Sequence, residues 1–276
     1  MEKTSKKRKF TNYAFEFITV FTGITVAFLL NTWSENRKDS HTEAKILTEI
    51  RNGLVSDTLD MRGNISGHQR GIGACQYFRD LIDNKKLPDV DPNEQYILLL
   101  RDFISIQNKS GYESLKSKGL ELISDDSLRL AIIDMYDFNY QVLEKIEEDY
   151  QENQFFKNYF FPINDLLSPY LVYDEQGKLI KFQQPLNLSE KERNAFLMYL
   201  VKIEFNRQFI INYYETVIND AADLIDMIDQ ELEGRWSSFL RRQESHEEET
   251  SIPTPSVSST GRAPLANGES RLSKWT

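Results

Sequence analysis

The chain has 276 residues, 40 % of them hydrophobic and 12 % aromatic, which is material for a buried core, and it carries a formal net charge of −10. Lys3, Lys6, Lys7, Arg8 and Lys9 stand against Glu2 in the first nine residues, so everything after them sums to −14. An acidic domain argues against nucleic acid as a partner, because phosphate binding calls for a basic surface. The single cysteine, Cys75, excludes an internal disulfide and a C-x-x-C metal or redox pair.

Residues 1–9 read as a basic cytoplasmic N-terminus. Residues 10–33, FTNYAFEFITVFTGITVAFLLNTW, hold one charge, Glu16. At about 1.5 Å per residue this stretch reaches roughly 36 Å, enough to cross a hydrocarbon core of about 30 Å. A signal peptide has a shorter apolar core and small residues at a cleavage site. Here Asn31-Thr32-Trp33-Ser34-Glu35 follows instead, which favours a retained transmembrane helix. Lys6, Lys7, Arg8 and Lys9 before the span and Trp33 after it are residues of the interface-anchoring type. Five basic residues precede the span and two, Arg37 and Lys38, closely follow it. The positive-inside rule then places the N-terminus in the cytoplasm and the main domain outside it, in the periplasm of a bacterial inner membrane.

On a helical wheel Glu16, Val20, Gly23, Ala27 and Asn31 share one stripe. Thr19, Gly23 and Ala27 form a small-xxx-small run, which allows close approach of two backbones. A carboxylate in a span generally faces protein or water. The stripe is therefore expected to be a helix–helix interface in a homo-oligomer, although Glu16 lies close enough to the start of the span to snorkel to lipid headgroups.

Residues 34–62 read as a juxtamembrane helix continuing the span, with an apolar spacing of three, four and seven at Leu47, Ile50, Leu54 and Met61. Gly63, Gly67, Gly71 and Gly73 loosen the pattern. Residues 63–243 then form a helical extracytoplasmic domain. A stripe at Ile72, Cys75, Phe78 and Leu81 ends at the turn Leu87–Pro92, and a short helix follows from Tyr96 to Ile106. Tyr112 and Leu115 share a face of a short helix between Gly111 and Gly119 as turns, expected to pack under a long helix. That helix is capped by Ser124, carries Leu128 in its stripe, and stops near Pro162. Residues 170–182 carry two β-prone runs around Asp174-Glu175-Gln176-Gly177, a hairpin signature. Ser189 caps a second long helix with its stripe at Leu200, Ile203, Arg207, Ile210, Tyr214, Val217, Ala221, Leu224 and Ile228, the spacing of coiled-coil-like packing, ending near Gly234. Residues 244–276 are too polar to build a core and read as a disordered tail. The fold class expected is all-α: one transmembrane helix continuous with an elongated helical bundle, plus a small β-hairpin.

No constellation announces chemistry. His41, His68 and His246 lack metal-ligand spacing, Gly71-Ile72-Gly73 is too short for a phosphate loop, and no G-x-S-x-G elbow occurs. Glu144, Glu147, Glu148 and Asp149 read as a solvated helix face. The aromatics from Phe155 to Phe161, with Tyr213 and Tyr214, read as closing one end of the core rather than as a ligand-binding surface. No catalytic residue, cofactor or metal is expected.

Tyr13-Ala14-Phe15-Glu16-Phe17-Ile18, Asn31-Thr32-Trp33-Ser34-Glu35-Asn36-Arg37-Lys38, Tyr112-Glu113-Ser114-Leu115-Lys116-Ser117 and Leu122-Ile123-Ser124-Asp125-Asp126-Ser127-Leu128-Arg129 resemble, in that order, motifs of an uncharacterised family of small single-pass bacterial membrane proteins. Lys118-Gly119-Leu120 departs from the Gly-Asn-Leu of that family's central motif. The resemblance implies architecture and bacterial origin, and no activity. The expected function is that of a non-enzymatic membrane scaffold or sensor, in contact with lipid, that self-associates and presents its domain to a protein partner. A channel or channel accessory subunit gathered around Glu16 is the alternative, and a membrane-anchored enzyme comes third.

Overall fold

A computed structural model describes the backbone of residues 3–250 and the side chains of residues 15–235 and 237. It is an all-α protein whose long first helix continues into a helical bundle with one small hairpin. The chain divides into two units, Met1–Glu233 and Gly234–Thr276. The second contains the C-terminal part of the last helix, and the bundle described below lies within the first.

Helix α1 (Lys3–Ile82) is 80 residues long, about 120 Å at the α-helical rise. From residue 15 to residue 41 its side chains are exposed, apart from half-buried Thr32, which falls in neither run; burial begins at Glu43. From there Ile46, Leu47, Ile50, Leu54, Met61, Ala74, Cys75, Phe78 and Leu81 are buried, a stripe at the spacing of one helix face. Gly63, Gly67, Gly71 and Gly73 do not interrupt the helix. The expected loosening is corrected, and two of these glycines serve close packing instead.

Helix α2 (Pro92–Leu100) begins with Asp91 accepting from Asn93 N and with Pro92 at the first position, where its missing N–H costs nothing. It ends at Leu100, and residues 101–109 have no regular secondary structure, so the helix expected to reach Ile106 is shorter. Helix α3 (Ser110–Lys118) stops at Gly119, whose φ of +103° suits glycine. Gly111 is not a flanking turn: it lies inside α3, and a Cβ there would sit 2.8 Å from Ile50 N, so it lets α3 press against α1.

Helix α4 (Asp126–Asp134) is capped by Asp125, which accepts from Leu128 N at 2.8 Å. Ser124, the expected cap, instead donates from both its N and its Oγ to Glu43 of α1. A π-helical turn, Met135–Asn139, leads to α5 (Tyr140–Glu144), and a second, Lys145–Asp149, follows it. The helical run begun at α4 ends at Asp149. Tyr112 stacks on Tyr136 with ring centroids 4.6 Å apart, and Leu115 and Leu128 are buried beside it.

Helix α6 (Phe155–Leu167) passes through Pro162. Phe155, Tyr159, Ile163 and Leu167 recur every four residues and are buried on both sides of the proline. Packing along that face outweighs the roughly 3 kcal/mol that a helix-interior proline costs. Phe156 and Phe161 point outward and are more than half exposed, so the aromatic run closes the core only in part.

Strands β1 (Leu171–Tyr173) and β2 (Leu179–Phe182) form the hairpin, antiparallel, with Gly177 at φ +78° in the loop. Phe182 packs against Phe78 of α1 at 5.5 Å. Helix α7 (Glu190–Thr250) opens on a capping box: Glu192 N donates to Ser189 Oγ, and Ser189 N donates to Glu192 Oε2. Its whole expected stripe, from Leu200 to Ile228, is buried. It does not end at Gly234, and it carries helix past 244, where a disordered tail was expected to begin. Residues 251–276 of that tail lie outside the described residues. Arg193–Asp83, Arg79–Glu204 and Arg51–Asp229 ion pairs step down α1 as they step up α7, so the two helices run antiparallel.

Candidate functional site

Four polar residues of α1 are buried, Glu43, Asp57, Thr58 and His68. Thr58 donates to its own helix at Val55 O, and the other three, each 3 % exposed or less, reach other parts of the chain. A buried polar group without a partner costs free energy, and each of these holds part of the chain. Glu43 accepts from Ser124 N at 2.8 Å and fixes the entry to α4. Asp57 accepts from Asn108 N at 2.9 Å and from Tyr140 Oη at 2.8 Å. His68 meets Arg207 of α7.

The irregular segment 101–109 runs down α1 between these points. Its backbone groups, lacking a helix or sheet, are taken up by side chains. Ser105 N and Oγ donate to Glu147, Ile106 N donates to Asp60 at 3.3 Å, and Asn108 N donates to Asp57. Asp102 accepts from Phe155 N at 2.8 Å, where its charge suits the start of α6. Glu147 also accepts from Tyr214 Oη of α7. It was expected on a solvated face. The π turn that contains it, Lys145–Asp149, is part of the path that leaves it 6 % exposed in the core. Burial pushes its carboxyl up to about 7, with the bonds from Tyr214 and Ser105 pulling the other way.

Arg207 is the centre of this arrangement, with no exposed surface. Nη2 donates to the carbonyl oxygens of Leu98 at 2.9 Å, Leu99 at 3.1 Å and Arg101 at 3.0 Å. These lie at the C-terminal end of α2, where the unsatisfied carbonyls carry partial negative charge and favour a cation. Nη1 lies 3.1 Å from His68 Nδ1. An arginine only donates, so Nδ1 is the acceptor and the imidazole carries its hydrogen on Nε2. The guanidinium lies 4.2 Å from the Phe155 ring centroid and 5.7 Å from that of Phe103, within cation–π range.

Burial lowers Arg207 to about 10, still charged at neutral pH, and lowers His68 to about 3 with the arginine's charge adding to the effect. Burial likewise raises the Cys75 thiol to about 12, so it is protonated and unreactive. The geometry depends on two glycines one helical turn apart. A Cβ at Gly71 would sit 2.5 Å from Arg207 Nε, and one at Gly67 would sit 2.4 Å from Phe103 Cε1. The centre is sealed and most of its bonds are spent within the protein, with Arg207 Nε and His68 Nε2 buried without a hydrogen-bond partner among the described residues. This is the geometry of a clamp joining α1, α2, α6 and α7.

Two shallow depressions flank α2 on the outside, of about 240 and 350 Å³, sharing Arg70, Glu94 and Leu98 in their walls. Arg70 and Glu94 stand 3.6 Å apart across them. Among the described residues no cluster of histidine, cysteine and carboxylates is arranged to hold a metal ion.

The N-terminal part of α1 is the other candidate surface. Among the described residues it is the one helix long and apolar enough to cross a membrane, by length and composition, with a window of mean hydropathy 1.5 and none of it buried. Glu16, Thr19, Val20, Gly23, Ala27 and Asn31 are all exposed. Gly23 has open space where a Cβ would stand. Thr19 Oγ1 donates to its own helix at Phe15 O, and Asn31 Nδ2 donates to Glu35 at 3.1 Å. Trp33 is exposed with Arg37 over its ring. The side chains of Lys6, Lys7, Arg8 and Lys9 lie outside the described residues. Tyr112, Leu115 and Leu128 are buried in the core of the bundle, Ser124 is exposed and bonded to Glu43, and none of the four touches Arg207.

The fold and these surfaces define an all-α bundle built on a helix with a bare apolar end. Comparison with protein-family models, curated proteins and solved structures finds no match to this chain.

Sequence reasoning missed the Arg207 centre. Its signals were present: glycines at 67 and 71, four apart on one face, flanking a histidine, and an arginine in the apolar stripe of α7. A charged residue in a seam calls for a partner, and small residues on the facing helix mark where it fits.

Proposed function

We propose that this chain is a non-enzymatic, single-pass membrane scaffold or sensor: α1 crosses the membrane near its start, copies associate through that span, and the bundle is held outside the cytoplasm for a partner. One observation carries the reading. The same helix that is packed on a core from Glu43 onward is bare from Phe15 to Leu30, with Phe15, Phe17, Ile18, Phe21, Ile24, Phe28, Leu29 and Leu30 each 59 % exposed or more. Apolar surface of that extent on a soluble monomer is rare, and lipid is the solvent that suits it. The basic residues before the span support a cytoplasmic N-terminus. The resemblance to single-pass bacterial membrane proteins supports a bacterial inner membrane with the domain in the periplasm.

A continuous helix from span to bundle is a mechanical link. A change in how spans associate is carried into α1 without a hinge, because the glycines at 63–73 leave the helix intact. That link suits a sensor or scaffold. The channel reading keeps one support, the exposure of Glu16 on the same face as Gly23 and Ala27.

Substitution tests the association. Gly23→Leu fills the open space of the small-xxx-small run and should weaken self-association of the full chain in lipid, while Phe21→Leu, on another face, should leave it unchanged. Equal association of both variants with the parent would remove the stripe as an interface. Conductance in a bilayer that changes on Glu16→Gln would replace the scaffold reading with the channel.

A further inference from the structure

Helix α7 is apolar on two sides. One side carries the buried stripe that includes Arg207. On the other, Met198 is 54 % exposed, Val201 52 %, Phe205 72 % and Phe209 42 %. Their spacing of three, four and four residues draws one outward stripe. Tyr150, itself exposed, extends it with its ring 6.4 Å from that of Phe209. Below them Gln208 Nε2 donates to Asn212 Oδ1, so the stripe continues in uncharged amides.

We infer that this outward stripe of α7 is the surface on which a second copy of the chain docks, stripe against stripe and in parallel. The inference rests on the membrane-anchored reading above, and three further observations select a second copy as the occupant.

The first is height. Glu204 pairs with Arg79, so the stripe stands beside the far end of α1, about 46 residues and roughly 70 Å beyond Trp33. Copies anchored in one membrane through one continuous helix present this stripe at the same level and in the same direction. A two-fold axis along the membrane normal then brings it against itself, as an isologous contact requires.

The second is charge. The chain carries −10, yet from Asn194 to Tyr214 its one carboxylate is Glu204. Two acidic domains repel least where they present least acid, which is along α7 itself, since Glu148, Asp149 and Glu152 stand exposed beside Tyr150 at the edge of the stripe. At 100° per residue Lys202 lies about 60° from Phe205 on one flank and Glu204 about 100° on the other. A two-fold axis sets each flank against its opposite, so Lys202 comes to the side of the partner copy that carries the Glu204–Arg79 pair. Along α7 the contact is apolar and sets no unpaired carboxylate against another.

The third is area. Large side chains bury roughly 150–250 Å² each. Five of them about half exposed offer on the order of 500 Å² per copy, below the roughly 800 Å² a side of a specific interface. A polar rim adds to it. Association in the membrane raises the effective concentration toward the millimolar range, where a contact of this size closes.

The test uses the full chain in membrane vesicles, with Cys75→Ala to clear the background. Phe205→Cys places a thiol at the centre of the stripe. Gly73→Cys places one at a similar height on α1, in open space. Oxidation should yield disulfide-linked dimer at least tenfold faster from Phe205→Cys than from Gly73→Cys. Phe205→Glu, at an exposed position where folding is unaffected, should lower the dimer fraction of the otherwise native chain at least tenfold. No dimer through Phe205→Cys overturns the interface, and adducts of Phe205→Cys with a different polypeptide in place of the dimer overturn a second copy as the occupant. Gly23→Cys in the span reports separately. If it crosslinks while Phe205→Cys does not, the stripe is wrong and association through the span stands. If alkali extracts the chain from the vesicles, the membrane reading itself has failed.

Discussion

Arg207 Nη1 of the last helix reaches His68 Nδ1 of the first at 3.1 Å, across 139 residues of chain. This contact, with the three carbonyls at the end of α2 and the Phe155 ring of α6 4.2 Å from the guanidinium, ties four helices at one buried point. The glycine one turn beyond His68 makes room for it, since a Cβ at Gly71 would lie 2.5 Å from Arg207 Nε. In an exposed helix, Gly→Ala is stabilising by roughly 0.5–1 kcal/mol. Gly71→Ala is expected to reverse that sign and destabilise by about 1–3 kcal/mol through overpacking. Gly73→Ala, with nothing within 4 Å, should stabilise. Denaturant unfolding of the two variants beside the parent checks the pair. Two variants with the same sign would mean that Arg207 is free to move.

Removing the arginine leaves acceptors stranded. Arg207→Met keeps much of the volume but leaves three carbonyls and His68 without their donor. Breaking a buried charged network typically costs about 3–5 kcal/mol. Arg207→Lys should recover only part of this, because an ammonium cannot reproduce the planar fork that spans His68 and α2. A lysine variant as stable as the parent would show that charge alone holds the centre.

Two buried groups give stability opposite pH dependences. Glu147 is raised from 4.5 to about 7, so the folded chain binds its proton more tightly than the unfolded chain does. Its contribution is full below about 4.5 and is lost as pH rises through 7. Asp57 and Asp102, also raised by burial, act in the same direction. His68 is lowered from 6.5 to about 3, so its contribution is full above 6.5 and is lost as pH falls toward 3. Glu147→Gln should therefore flatten the decline in stability between pH 5 and 8, while leaving the acid limb in place. Melting temperatures across that range read it directly. An unchanged slope in the variant would assign the decline to other groups.

The elements were legible where periodicity was long and consistent. The stripe from Leu200 to Ile228 is buried throughout, and Asp174–Gly177 does turn the hairpin. Tyr112 and Leu115 were correctly placed in the core by their shared face. What failed were readings that weigh one residue alone. Pro162 reads as a stop in the sequence, yet burial of Phe155, Tyr159, Ile163 and Leu167 carries the helix through it. Glycine reads as loosening at 67 and 71 and as a turn at 111, where in the fold Gly67, Gly71 and Gly111 permit close approach. Ser124 looked like a cap, but Glu43, 81 residues away, claims it and leaves Asp125 to cap α4. Glu147 looked solvated because a π turn cannot be seen in a periodic pattern. Each of these is settled by a tertiary partner, which a local window does not contain.

The proposed function requires α1 to span a membrane with its start in the cytoplasm. Single cysteines at Ser5 and Ser40, in a Cys75→Ser background, bracket the bare apolar segment, and a membrane-impermeant thiol reagent applied to intact spheroplasts reads which side each occupies. The account predicts labelling at position 40 and protection at position 5 until the membrane is opened. Labelling at 5 with protection at 40 would contradict the orientation, and equal labelling of both in intact cells would contradict the span itself.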